Sequence, residues 1–252
     1  MPGQNHAGHR LSFQYTIGVI DRLAADRLLF QAQSMAASLL QQRIAATFWR
    51  VLFLGCALCI SSGTADAAPK DKERWNSKYT AEEYIFGKEP ISFLRDNVHL
   101  LPKGKALDIA MGEGRNGVYL ATQGFQVTGL DISEKGLQKA KQLAAEHGVT
   151  ITTRVVDLET YQLEKNAYDT ILCTYYLQRS LFPQIKDALK RGGMVLVETY
   201  TIEHLKYRPT FRKKYLIQTN ELLEIFKDFK VLRYQHRDDG KAAYASIIAQ
   251  KP

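Results

Sequence analysis

Three glycines and three acids stand at intervals that chemistry can use. Gly112, Gly114 and Gly117 make a G-x-G-x-x-G within Leu107-Asp108-Ile109-Ala110-Met111-Gly112-Glu113-Gly114-Arg115-Asn116-Gly117. Glycines so spaced let backbone approach a ligand closely and let a helix start tightly against the preceding strand. Taken alone, the pattern fits a dinucleotide site. Asp108, at the end of the apolar run ahead of the turn, argues otherwise, since a carboxylate there repels a pyrophosphate and attracts a sulfonium or an ammonium. Acids recur at the ends of the next two strand-like runs, as Asp131 and Asp157. Asp131 follows Gly112 at close to the ~20-residue offset of a ribose-hydroxyl ligand, and Asp157 is placed to accept from an adenine amine. Such a row of acids suits a nucleoside that carries positive charge and no phosphates.

S-adenosylmethionine is a nucleoside of that kind. Leu107–Gly114 resembles the first motif of class I S-adenosylmethionine-dependent methyltransferases, with Ala110 where many members have glycine. Trp75-x3-Tyr79-x4-Tyr84-x-Phe86-Gly87-x2-Pro90 resembles the lid segment of the TehB-like (tellurite-resistance) and related small-molecule branch. Gly112–Asn116 and Thr153–Leu158 are similar to that branch as well. Over Trp75–Pro252 the resemblance implies S-adenosyl-L-methionine as cofactor. It places Asp108, Ala110, Gly112 and Gly114 beside the methionine part, Asp131 and Ile132 at the ribose, and Asp157 and Leu158 at the adenine. Tyr84 and Phe86 would close over the donor, and Arg115 would hold its carboxylate or an acceptor's charge.

Each of these residues also has a plainer reading. Asp108 could cap the following helix, and Asp131 could be a helix-start acid favoured by the dipole. Asp157 could only make a turn, and Tyr84 and Phe86 could be core aromatics. The function has two alternatives: an NAD(P)-dependent oxidoreductase, taking the glycine pattern at face value, or a non-catalytic nucleoside-binding domain.

Acceptor-side candidates follow the fourth and fifth strands: Tyr175, Tyr176, Gln178, Arg179, Glu198, Tyr200 and His204. Tyr175, Tyr176 and His204 are the catalytic candidates; the histidine is a base by type, set against its reading as a solvated loop residue. Tyr175-Tyr176 stands where some methyltransferases carry an Asn/Asp-Pro-Pro-Tyr motif for amino groups; the motif is absent, which disfavours amine acceptors. Lys206, Arg208, Arg212, Lys213 and Lys214 lie between His204 and Asn220 without an intervening acid. That run points to a small anionic acceptor, a thiol or metalloid oxyanion among them, or to a solvated basic loop. No nucleic-acid module accompanies it, and no metal set is expected.

Positioning these residues takes strands that alternate with helices. Lys105–Ile109, Phe125–Leu130, Thr150–Val156, Tyr168–Cys173 and Met194–Glu198 read as strands. Arg115–Gln123, a Ser133-capped helix stopped by Gly148, Phe182–Leu189 and Glu221–Phe226 read as helices, with a turn at Arg191-Gly192-Gly193. Lys230–Gln235 and Ala242–Ala249 read as a hairpin around Asp239-Gly240. The expected fold is α/β: a doubly wound, mostly parallel sheet. The resemblance makes it seven-stranded, Rossmann-like, with an antiparallel C-terminal strand.

The 252 residues, 45% hydrophobic and 24% charged, have a globular composition, which excludes a fibre or a disordered chain. The net charge is +8; after Met1–Ala67 is set aside, with its five basic and three acidic residues, an excess of +6 remains in the rest. Residues 35–67 read as a signal-peptide-like segment, with Arg43 and Arg50 before the apolar Val51–Ser62 and a small-x-small site at Ala65-Asp66-Ala67. Residues 1–34 would be an extension or lie ahead of the true start at Met35. Cys56 and Cys59 fall in the apolar run and read as incidental small residues. The domain is then 68–252, with a lid over 75–100 and the core over 105–252. An uncleaved apolar segment would tether it to a membrane. Export points to a periplasmic or membrane location and the cofactor to the cytoplasm.

Overall fold

The computed structural model describes residues 67–252, which lie in the second of the two units into which the chain divides, Ala65–Pro252. The extension over 1–34, the signal-like segment up to residue 66 and the Cys56/Cys59 pair lie outside the described residues. Among the described residues no helix is long and apolar enough to cross a membrane.

Seven strands form one sheet: β1 (Lys105–Ile109), β2 (Gln126–Asp131), β3 (Thr152–Val155), β4 (Tyr168–Thr174), β5 (Leu189–Tyr200), β6 (Lys230–Asp238) and β7 (Ala243–Gln250). Their order is β3-β2-β1-β4-β5-β7-β6. The pairs from β3 to β5 are parallel, and β7 runs antiparallel to both of its neighbours. The expected reversed strand is therefore the second arm of the C-terminal hairpin. Central strands carry continuous apolar runs because both of their faces are covered. Leu107 and Ile109 pack into one apolar layer, while Ala106 packs into the other. Edge strands β3 and β6 are mostly exposed and bear Arg154, Lys230, Arg233 and Arg237, charges that discourage pairing with another chain.

The helices are α1 (Ala67–Lys78), α2 (Ser92–Asn97), α3 (Arg115–Thr122), α4 (Glu134–Glu146), α5 (Phe182–Ala188) and α6 (Glu221–Ile225). Ser133 Oγ caps α4 by accepting from Gly136 N at 3.1 Å, and Leu137, Ala140, Leu143 and Ala144 form its buried stripe. Two elements differ from the sequence expectation. Arg191-Gly192-Gly193 lies inside β5, where the register to β4 jumps, rather than ahead of it. Gly192, at φ 75°, lets the strand kink there, and Gly192 N and Gly193 O both pair with Lys251. Helix α1 has no apolar stripe to announce it. It is held by docking: Trp75 and Tyr79, stacked at 5.5 Å, and Asn76, whose Oδ1 accepts from Ser133 Oγ and Lys135 N at the start of α4.

Candidate active site

The carboxyl ends of β1, β2, β4 and β5 form one rim, as ligand sites in open α/β sheets require. Parallel registers Ile109↔Leu130, Ile109↔Cys173 and Thr174↔Glu198 bring the glycine loop, Asp131, Tyr175 and Glu198 to it. Backbone geometry shapes the loop. Ala110 at φ 54°, Gly112 at 57° and Gly114 at 89° all lie in the left-handed region, which only glycine enters without strain. Ala110 thus holds the strained conformation for which the resemblance expects glycine. Met111 N donates to Leu130 O at 2.9 Å, and the Met111 side chain fills the space left by Gly117 and Gly129.

The three acids have three different environments instead of forming one row. Asp108 is 1% exposed and lies beneath the first turn of α3, because alternation along β1 puts it on the Ala106 face. Its Oδ2 has no hydrogen-bond partner among the described residues. Burial, opposed by the Gly117 N–H, pushes its carboxyl up to about 7. Asp131 sits at the rim, where Oδ2 accepts from Gly112 N at 2.7 Å and Oδ1 from Ser133 N at 2.8 Å, so it braces the loop. Burial raises its pKa against those bonds. Asp157 is half-buried and makes a turn, Oδ1 accepting from Glu159 N at 2.9 Å. Ile132 is half-buried beside Asp131, and Leu158 is buried in the core.

Tyr84 and Phe86 part company. Tyr84 packs outward on Val118, Leu143 and Ala144, and its hydroxyl donates to Lys139 O at 3.0 Å, so it does not close over the loop as expected. That side is taken by Tyr79, which is buried; a β-carbon at Gly112 would meet its hydroxyl at 2.7 Å. Burial and the nearby Asp131 and Glu113 raise the Tyr79 pKa. Phe86 is half-exposed beside Arg115, the residue that follows Gly114. Arg115 Nη1 donates to Phe86 O at 2.8 Å, and the guanidinium lies 5.9 Å from the Phe86 ring and 5.7 Å from that of Tyr175. Among the described residues no carboxylate pairs with Arg115. Buried Asn116 links the parts: Ile91 N donates to its Oδ1 at 3.0 Å, and its Nδ2 donates to Thr174 Oγ1 at 3.0 Å.

Tyr175 adopts φ 55°, an outlier for a bulky residue, and Glu198 holds it there twice. Tyr175 N donates to Glu198 O, and Tyr175 Oη to Glu198 Oε1, both at 2.7 Å. Glu198 Oε2 accepts from Ser246 Oγ at 2.7 Å. Burial raises the Glu198 pKa, and it raises that of Tyr175 too, with Glu198 adding to the rise. Tyr176 turns the other way, its hydroxyl donating to Gln178 Oε1 at 2.6 Å. His204 is a correction: it is 4% exposed rather than a solvated loop residue. It stacks on Tyr200 at 4.2 Å and meets Phe211 edge-on at 5.3 Å. Its Nδ1 has no partner among the described residues, and burial together with Arg208 lowers its pKa. Arg179 is committed to Glu221 through two contacts, at 2.6 and 2.9 Å, and Lys206 pairs with Asp238, so neither is a free acceptor-side cation.

Replacing Glu198 tests this brace. Glu198→Ala is expected to destabilise the fold by about 2–3 kcal/mol in urea unfolding, since the buried Ser246 hydroxyl and the part-buried Tyr175 hydroxyl both lose their acceptor. Glu198→Gln keeps an oxygen for Tyr175 and should retain most of the stability. Equal losses in both would contradict this account.

A parallel sheet in this order, with only β7 reversed and a glycine loop over β1, is the class I methyltransferase fold. Residues 70–242 match the family described as "Tellurite resistance protein TehB", and the chain belongs to that family. A relative from Haemophilus influenzae (strain KW20 / Rd), "Probable S-adenosyl-L-methionine-dependent methyltransferase TehB", is 26% identical over 175 residues, 62% of this chain and 60% of that protein. A "Ubiquinone biosynthesis O-methyltransferase" from Idiomarina loihiensis is 29% identical over 115 residues, 43% and 47% of the two chains. The chain thus spans 60% or less of these relatives' own length. The crystal structure of TehB from Haemophilus influenzae is similar at a TM-score of 0.55 and 22% identity, covering 72% of this chain and 67% of that one. Magnesium protoporphyrin IX methyltransferase from Synechocystis PCC 6803 with bound SAM is similar at 0.54 and 18%, covering 76% and 100%. Likeness at these identities shows the fold.

Proposed function

We propose that this protein is an S-adenosylmethionine-dependent methyltransferase that acts on a small anionic acceptor. One observation carries the donor half: a family-typical glycine loop, braced by Asp131, lies directly over a buried carboxylate whose Oδ2 lacks a partner. A buried carboxylate with one oxygen left unpaired favours a cationic ligand over a pyrophosphate. Asp131, with lone pairs left beyond its two backbone donors, would take the ribose hydroxyls. Tyr79 and Phe86 would exclude water from the loop's open side. S-adenosylmethionine, when bound, supplies an electrophilic methyl on a sulfonium.

The acceptor half rests on Arg115 and the surfaces around it. A guanidinium between two rings, without a described carboxylate partner, offers its remaining N–H groups to an anion at the mouth. Arg208, exposed beside the Tyr200–His204 stack, adds a second positive charge. An anionic acceptor needs no proton removed, so the chain's task is alignment, worth roughly 7–11 kcal/mol of barrier in well-oriented reactions. His204 Nδ1, kept neutral by burial, is the base at hand for an acceptor that arrives protonated.

Thermal-shift measurements with S-adenosylhomocysteine and with NADH test the donor. Stabilisation by the first alone is expected; stabilisation by NADH alone would favour the dinucleotide reading, and stabilisation by neither would remove both. Turnover of labelled donor separates the enzyme from a non-catalytic nucleoside-binding domain. Once a labelled-donor screen finds an acceptor, Arg208→Ala with Arg212→Ala should raise its KM several-fold at constant donor affinity. An unchanged KM would remove the basic loop from the acceptor site.

A further inference from the structure

A buried charge pins the segment between α1 and α2. Lys139 on α4 is 8% exposed, and its ammonium faces three oxygens: Ala81 O at 2.9 Å, Glu83 O at 2.6 Å and Glu113 Oε1 at 2.6 Å. Glu113, between the two loop glycines, is 4% exposed, and neither of its carboxylate oxygens has a hydrogen-bond partner among the described residues, so the ammonium meets it as an ion pair. Tyr84 closes the arrangement, its ring 4.6 Å from the ammonium and its hydroxyl on the Lys139 carbonyl. Two of the ammonium's protons are directed at lid carbonyls, and Glu113 on the glycine loop is held by charge rather than by a hydrogen bond. Desolvation makes a buried ion pair a weak source of stability, yet removing one partner strands the other charge. The pair therefore acts chiefly on geometry, joining a lid and a loop that have no covalent reason to move together.

We propose that Lys139 is a positioning residue for the donor: its ammonium couples the seat of residues 81–84 to the loop at Glu113. The lid is then ordered only while the loop holds its ligand-binding shape. This rests on the donor reading above, and it adds a residue that neither contacts the ligand nor belongs to the glycine motif.

Wild type, Lys139→Met and the double variant Lys139→Met/Glu113→Gln test it, with calorimetric binding of S-adenosylhomocysteine and hydrogen exchange over residues 79–90. In the wild type the ligand should slow exchange in that segment. In Lys139→Met, affinity should fall at least tenfold and ligand-induced protection should disappear. The double variant, which strands no charge, should recover thermal stability without recovering protection, and it carries the measurement if the single variant does not fold. Protection retained in either folded variant would overturn the proposal, because a merely structural lysine predicts that result. If the wild type binds no ligand, the donor reading fails on its own. The ligand-free exchange of residues 79–90 then decides: faster in the double variant supports the coupling, and equal rates end it.

Discussion

Gly114→Ala is expected to destabilise the domain by about 3–5 kcal/mol, combining left-handed strain with overpacking. Gly114 stands at φ 89° at the start of α3, and an added β-carbon would lie 2.6 Å from Ala140 Cβ and 2.9 Å from Ala140 Cα. The second contact is backbone of α4, so no side-chain rotation relieves it. Moving α4 would disturb Ser133, the cap that also donates to Asp131, and with it the brace on Gly112. S-adenosylhomocysteine binding should therefore be lost together with stability. Gly148→Ala is the matched control: φ is 66°, but nothing lies within 4 Å of an added β-carbon, so only the strain of about 1–2 kcal/mol remains. Urea midpoints of the two variants measure the difference, and equal losses would show that the helix contact does not matter.

Asp108 should make stability depend on pH in the direction opposite to that of an ion-paired acid. Burial lifts its pKa from 3.8 to about 7, so between those values the folded chain holds a proton that the unfolded chain has released. Its contribution is complete below about pH 4 and is lost as the pH rises through 7. At ~1.4 kcal/mol per unit, the swing is about 4 kcal/mol. Asp131 and Glu198 are shifted the same way and add to the slope, so the decisive quantity is the difference from Asp108→Asn, which cannot ionise. Urea unfolding at pH 5, 6, 7 and 8 should show a steeper decline in the wild type than in this variant. Parallel profiles would mean that Asp108 is not protonated in the folded chain. On the proposed function, a bound cation restores the carboxylate, so ligand binding near pH 7 should release a proton. Calorimetry in buffers of different ionisation enthalpy reads that proton directly, and Asp108→Asn should abolish it.

Much of this architecture was legible in the residues. Alternation of apolar runs with capped helical stripes located all seven strands, because side-chain periodicity is set by local backbone geometry. In its bounds β5 is the exception, since it begins at Leu189 rather than Met194. The glycine loop was legible too, since a turn of left-handed backbone needs residues without a β-carbon at fixed positions. Gly112 and Gly114 sit there as expected, while Ala110 shows that neighbouring contacts can hold a residue that local preference disfavours.

The long-range partnerships were decided elsewhere. Lys139 lies 56 to 58 residues from the carbonyls it binds, Tyr175 lies 23 from Glu198, and Arg179 lies 42 from Glu221. No spacing rule reaches over such distances, because the sheet register and helix docking choose the neighbours. For that reason Tyr79 rather than Tyr84 reached the loop, and His204 entered an aromatic stack instead of water. Local stereochemistry wrote the strands, the caps and the glycine turn into the chain. Packing alone determined which side chains face one another at the rim, since burial and charge pairing are properties of the folded whole.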